Sequence, residues 1–285
     1  MNQWNRRDFG RISLLRGKPL RLGLIAEGRN PESAIGRVKE LGFTNCQVYF
    51  SSPAPEMARA LSAALDQHRI EATALIVTGP GPEVYDFLKG PLTIGLAPRE
   101  YRATRIARMK RASDFAAQVK IPGVQGHCGF IPENPNDPVF AEVVEALREV
   151  AAYCKKNGQT FRCETGQETP ITLLRTILAT GLDNVGVNFD AANLVLYGKA
   201  NPVDAVDVFG KRILGVHAKD GVYPTDPSRL GKEVPIGKGR VDFPRLIQRL
   251  KAAGYSGPIT IEREISGPKQ TGDTRASKQY LEQLI

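Results

Sequence analysis

The sequence predicts an α/β fold, a single-domain (β/α)8 TIM barrel. Three observations predict it: short apolar β-rich runs alternate with longer amphipathic helical segments, eight such runs occur, and each ends on a polar or ionisable residue. The β-type runs cover residues 21–26, 46–50, 72–78, 123–128, 160–164, 185–190, 213–218 and 258–262. They read as continuously apolar, the pattern of parallel strands covered on both faces. A doubly wound open sheet is the competing architecture. It is disfavoured because the turn after the first run, Leu24-Ile25-Ala26-Glu27-Gly28-Arg29-Asn30, lacks the G-x-G-x-x-G spacing of a phosphate-binding turn.

The helical segments carry their own punctuation. After the first run, Asn30 is a candidate N-cap, Pro31 occupies the first helical position and Gly42 is a stop. Residues 54–69 place Met57, Leu61, Ala64 and Leu65 on one face. Helices follow over 101–119, over 137–156 before Asn157-Gly158, and over 169–179 before Gly181. The remaining ones are Pro202–Phe209, 243–253 before Gly254, and 274–284, which closes the ring. No low-complexity linker divides the chain, so residues 21–285 form one domain behind a basic tail of residues 1–20.

Composition excludes several classes. With 41% hydrophobic and 24% charged residues in a chain of 285, a sizeable core is available and disorder of the bulk is excluded. No apolar stretch approaches the roughly 20 residues of a membrane span, so no membrane partner is expected. The four cysteines, Cys46, Cys128, Cys154 and Cys163, form no C-x-x-C pair and read as buried free thiols. The net charge of +9 invites a nucleic-acid reading, but much of the excess lies in two stretches. One is the tail, with Arg6, Arg7, Arg11, Arg16, Lys18 and Arg21; the other is Arg99, Arg102, Arg105, Arg108, Lys110 and Arg111, read as a solvated helix face. In the tail, Asn5-Arg6-Arg7-Asp8-Phe9 resembles the twin-arginine element of an export signal, although Arg16 and Lys18 interrupt the apolar segment behind it. The expected location is cytoplasmic, or periplasmic if that element functions.

A barrel concentrates catalytic groups at the C-terminal ends of its strands. Those ends carry Glu27, Tyr49, Thr78, His127, Glu164, Asp190, His217 and Glu262. The last four form a chemical set. Three carboxylates crowded together raise one another's pKa values unless a positive charge sits among them, and three oxygens with one imidazole nitrogen suit a divalent cation. Mn²⁺, Mg²⁺ or Co²⁺ fits these ligand types better than a thiolate-rich zinc site, with Zn²⁺ a further option. The plainer alternative is that each acid merely ends its strand at solvent or a helix N-terminus.

These segments resemble the xylose-isomerase-like barrel family of sugar and sugar-phosphate isomerases and epimerases. The resemblance is carried by Arg162-Cys163-Glu164-Thr165-Gly166, Asn188-Phe189-Asp190-Ala191-Ala192-Asn193, Gly215-Val216-His217-Ala218-Lys219-Asp220 and Thr260-Ile261-Glu262-Arg263-Glu264. Further echoes are Gly126-His127-Cys128-Gly129-Phe130-Ile131-Pro132 and Ile236-Gly237-Lys238-Gly239-Arg240-Val241-Asp242-Phe243. The resemblance implies a divalent metal, Mn²⁺ first, held by Glu164, Asp190, His217 and Glu262. It implies a keto-sugar substrate converted through an enediolate, with Glu164 and Glu262 as the catalytic base and acid. His127, Asn193, Lys219 and Arg263 are the expected substrate-side residues. Asn193 departs from ketose 3-epimerases, which often carry a histidine there, and this leaves the sugar class open. Relatives are often dimers or tetramers, so a homo-oligomer is among the expected partners.

Two further chemistries and one non-enzymatic role compete. A metal-dependent lyase or hydratase on a keto sugar or keto-glycoside would share the first proton abstraction. An apurinic/apyrimidinic endonuclease would need more histidines than His68, His127 and His217 for its three-zinc cluster. A non-catalytic sugar-binding barrel would have little use for two opposed glutamates around a cation.

Overall fold

The computed structural model describes residues 20–285. The twin-arginine element and the rest of the basic tail before Leu20 lie outside them. Ten strands follow in chain order: β1 (Arg21–Glu27), β2 (Asn45–Phe50), β3 (Glu71–Val77), β4 (Gly123–His127), β5 (Thr160–Glu164), β6 (Val185–Asp190), β7 (Ile213–Ala218), β8 (Asp220–Val222), β9 (Lys232–Val234) and β10 (Pro258–Ile261). Eight of them, β1 to β7 and β10, close into a parallel barrel, with β10 seated between β7 and β1. Strands β8 and β9 form a separate antiparallel hairpin. The register brings His127 beside Glu164 and Asp190 beside His217, so the strand ends rise to a common level.

The helices are α1 (Pro31–Glu40), α2 (Met57–His68), α3 (Gly90–Thr93), α4 (Arg99–Gln118), α5 (Pro138–Lys156), α6 (Pro170–Ala179), α7 (Ala191–Leu196), α8 (Pro202–Phe209), α9 (Phe243–Ala252) and α10 (Pro268–Glu282). Their apolar stripes bury against the outer face of the barrel: Ile35 and Val38 from α1, Leu61 and Leu65 from α2, Val143, Leu147 and Val150 from α5, and Leu246 and Leu250 from α9. Each such side chain is worth roughly 1.5–3 kcal/mol when fully buried. Among the described residues no helix is long and apolar enough to cross a membrane.

Four features differ from the sequence expectation. The barrel interior is polar rather than continuously apolar: Asn45 and Gln47 of β2, Gln125 of β4, Arg162 of β5 and Asn188 of β6 are buried, and Gln47 Nε2 donates across the barrel to Asn188 Oδ1 at 3.2 Å. Helix α10 starts six residues early because Gly267, at φ 81°, turns the chain into Pro268 at the first helical position. Helix α7 escapes the periodicity test because all six of its residues are buried, leaving no polar face to mark it. The basic segment of α4 is only in part a solvated face: Arg99 and Arg111 are exposed, but the others are half-buried or buried. Arg99 and Arg102 pair with Glu142 of α5, and Lys110 pairs with Glu149. Arg105 is fully buried, its guanidinium donating to the carbonyls of Pro80, Pro82 and Gly95.

Two loops owe their shape to single anchors. Asp220 accepts the backbone N–H groups of Gly237, Gly239 and Val241 at 2.9, 2.9 and 3.1 Å, which folds the segment 236–241 back over the hairpin. The loop from β3 to α4 lies backbone to backbone on the segment after β4, with Leu96 N and Ala97 N donating to Cys128 O. All four cysteines are buried and free.

Candidate metal centre

Strands β5, β6, β7 and β10 bring Glu164, Asp190, His217 and Glu262 together, one ligand atom of each lying within 4.8 Å of the others. His217 Nδ1 is the hub, 3.2 Å from Glu262 Oε2, 3.3 Å from Glu164 Oε1 and 3.7 Å from Asp190 Oδ2. Asp190 and His217 are wholly buried, while Glu164 and Glu262 keep an edge open to the cleft above.

Local structure holds these groups in place. Asp190 is also the N-cap of α7: its Oδ1 accepts from Asn193 N at 2.8 Å, which turns Oδ2 toward the cluster. Beneath the imidazole, Gln47 Oε1 takes the proton of His217 Nε2 at 2.8 Å. A neutral histidine that donates through Nε2 presents a bare lone pair at Nδ1. Gln125 Nε2 donates to Glu164 Oε2 at 3.3 Å and steadies the carboxylate from below. The result is a nitrogen lone pair facing three carboxylates. Both His217 Nδ1 and Asp190 Oδ2 are buried without a hydrogen-bond partner. The Lys219 ammonium, 3.4 Å from Asp190 Oδ2 and 3.3 Å from Glu262 Oε2, offsets part of this crowding, and a proton or a cation at the centre satisfies the rest. The donor set, three carboxylates and one imidazole, fits a hard or borderline divalent metal.

Electrostatics express the same crowding. Burial works against a charged His217, but Glu262 and Glu164 outweigh it and raise its pKa well above the ordinary value. Burial pushes Glu262 up to about 7, against the pull of Lys219 and His217. Glu164 is also buried, yet His217 and His127 hold it below the usual carboxylate range. Without a metal the two glutamates are therefore driven apart in proton affinity.

The cleft over this cluster encloses about 660 Å³. Six of the eight strand-end residues line it, namely Glu27, Tyr49, Thr78, His127, Glu164 and Glu262; Asp190 and His217 lie under its floor. Asn193, Lys219 and Arg263 are on its walls. Asn193 Nδ2 is tied to Thr165 O at 3.1 Å. The Lys219 ammonium contacts Glu264, Glu262 and Asp190 at 2.8, 3.3 and 3.4 Å. Arg263 is held by Glu233 at 2.7 Å and Asp273 at 2.9 Å. His127 packs edge-on against Tyr85, ring centroids 5.9 Å apart, with its Nδ1 buried and unpartnered. His68 lies elsewhere, paired with Glu32 at the end of α2. Sequence reasoning passed over Gln47, Gln125, Tyr85, Tyr197 and Glu264. For the two glutamines a signal existed: Asn45, Gln47 and Tyr49 recur at every second position of β2, and Gln125 and His127 do so in β4, the period of one strand face.

The family model of the xylose isomerase-like TIM barrel matches residues 35–284. The chain belongs to that family. It is 31% identical to a xylose isomerase domain protein from Planctomyces limnophilus, whose crystal structure superposes with a TM-score of 0.88 over 93% of this chain and 97% of that one. It is 26% identical over 79% of its length, and 78% of the relative's, to a putative L-ribulose-5-phosphate 3-epimerase, UlaE, from Shigella dysenteriae. It is 28% identical to the uncharacterized protein MJ1311 of Methanocaldococcus jannaschii over 65% of this chain, and spans 63% of that relative.

Proposed function

We propose that the protein is a divalent-metal-dependent sugar isomerase or epimerase acting on a keto sugar. The observation that carries this reading is the cluster of Glu164, Asp190, His217 and Glu262 at the floor of a cleft, with two buried ligand atoms left unsatisfied. The epimerase named among the relatives supports it.

Glu164, Asp190, His217 and Glu262 would hold the metal, Mn²⁺ being the first choice for this donor set. When bound, it supplies positive charge against the oxyanion that develops as a proton leaves the carbon next to a carbonyl. The protein's own groups move that proton. Glu164 and Glu262 stand on strands three places apart around the barrel and flank His217 from two sides. Glu164, held ionised, removes the proton from one face of the sugar. Glu262, through the carboxylate oxygen it does not use for the metal, returns one from the other face and inverts the centre. Return to the neighbouring carbon gives the isomer instead. Lys219 bridges Asp190 and Glu262, and so holds the Glu262 carboxylate at the cleft floor.

The test is exchange. Metal-stripped protein resupplied with Mn²⁺ is incubated with a panel of keto sugars in D₂O, and deuterium is followed by NMR. At least one sugar exchanges its C–H beside the carbonyl, chelator abolishes the exchange, and Glu164→Gln or Glu262→Gln lowers it at least about 10²-fold while Mn²⁺ still binds. Absence of exchange with every sugar, or of bound Mn²⁺, overturns the reading.

A further inference from the structure

Lys219 is the first residue beyond β7, and its side chain turns inward, only 3% of it exposed. The ammonium lies 3.4 Å from Asp190 Oδ2, 3.3 Å from Glu262 Oε2 and 2.8 Å from Glu264 Oε2. The first two of these oxygens are the same atoms that face the imidazole, 3.7 and 3.2 Å from His217 Nδ1. One pair of carboxylate oxygens therefore serves two positive positions. The first is beside the bare nitrogen of His217, and the second is filled by the ammonium. Shared oxygens of this kind join the ions of a two-metal centre, which stand about 3.5–4 Å apart.

The groups around the ammonium would suit a metal equally well. Asp190, Glu262 and Glu264 offer hard carboxylate oxygens, the donors that Mn²⁺ and Mg²⁺ take. Asp190 Oδ2 is buried and accepts no hydrogen bond, so only a cation satisfies it. Charge decides which cation fills the second position. Glu164, Asp190 and Glu262 bring three negative charges to the centre, and one divalent ion with one ammonium neutralises them. Lys219 is tethered by its own backbone. A second free ion would have to expel it and leave a buried charge without partners.

We propose that the Lys219 ammonium occupies the place of a second metal ion, so that the centre holds one divalent cation where its carboxylates could hold two. The inference rests on the metal-dependent reading of the site and fixes its stoichiometry. The experiment counts ions. Metal-stripped protein is dialysed to saturation against Mn²⁺, bound metal is measured by atomic emission, and electron paramagnetic resonance tells an isolated ion from a coupled pair. The parent chain binds one ion with the spectrum of isolated Mn²⁺. Lys219→Met, which keeps an aliphatic stem without the charge, binds two, and its spectrum becomes that of an exchange-coupled pair. Lys219→Gln does the same, whereas Lys219→Arg keeps one. Adding Glu264→Gln to Lys219→Met removes a ligand and lowers occupancy by the second ion. Two ions in the parent chain, one ion in both neutral variants, or a second ion indifferent to Glu264→Gln overturns the assignment and leaves the metal-dependent reaction standing. Should neither neutral variant fold, the count in the parent chain decides. A parent chain that binds no Mn²⁺ overturns the reading of the site itself, and the assignment with it.

Discussion

At the scale of single residues, Gln47 matters more to the centre than its place in the sequence suggests. It touches no substrate-facing atom, yet its Oε1 accepts from His217 Nε2 and so leaves Nδ1 bare toward the carboxylates. Outer partners of metal-bound histidines commonly change affinity by 10–100-fold when removed. Gln47→Leu, similar in volume but without the acceptor, should weaken Mn²⁺ binding by about that factor, measured by calorimetry on the metal-stripped protein. An unchanged Kd would mean that something other than Gln47 sets the imidazole proton. The four cluster residues were legible because each ends an apolar run on a charge or imidazole. Gln47 and Gln125 were not, because an uncharged amide inside a strand looks like noise until its period of two is matched to the inner face of the barrel.

At the scale of elements, close backbone packing fixes where His127 stands. Gly129 has φ 89°, and a Cβ there would lie 2.1 Å from Ile94 O. No side chain fits without separating the β3–α4 loop from the segment after β4. Gly129→Ala should therefore destabilise the fold by about 2–4 kcal/mol, read as a lower Tm, and should enlarge the cleft wall that His127 and Tyr85 form. A variant with the Tm of the parent would show that the two loops do not depend on this approach. The helices were readable wherever an apolar stripe faced a polar one, as in α5. Helix α7 and the three-residue strands β8 and β9 were not, the first being buried all round and the others too short to establish a pattern.

For the whole molecule, the cluster links metal, pH and stability. Without a metal, Glu262 at about 7 and His217 with its raised pKa both retain protons where the ordinary groups would have lost them or be losing them. A cation must displace those protons, so its binding weakens as pH falls through about 7. Saturating Mn²⁺ raises the Tm, because a ligand at about 1,000 times its Kd adds about 4 kcal/mol to the folded state. That rise should be larger at pH 8 than at pH 6, followed by thermal denaturation with and without chelator. An equal rise at both would place the ion away from these protonating groups. The barrel itself was legible because its eight strand–helix units repeat; its polar interior was not, since each amide there answers to a partner on a distant strand.

The loops that wall the cleft are fastened one by one, and the guanidinium of Arg105 secures the one that carries Tyr85 through the carbonyls of Pro80, Pro82 and Gly95. The same segment also rests on Cys128 and Gly129 after β4, so the two move as a unit. Exchanging residues 79–105 together with 128–131 between relatives should retune which molecules are admitted while the chemistry below is inherited intact.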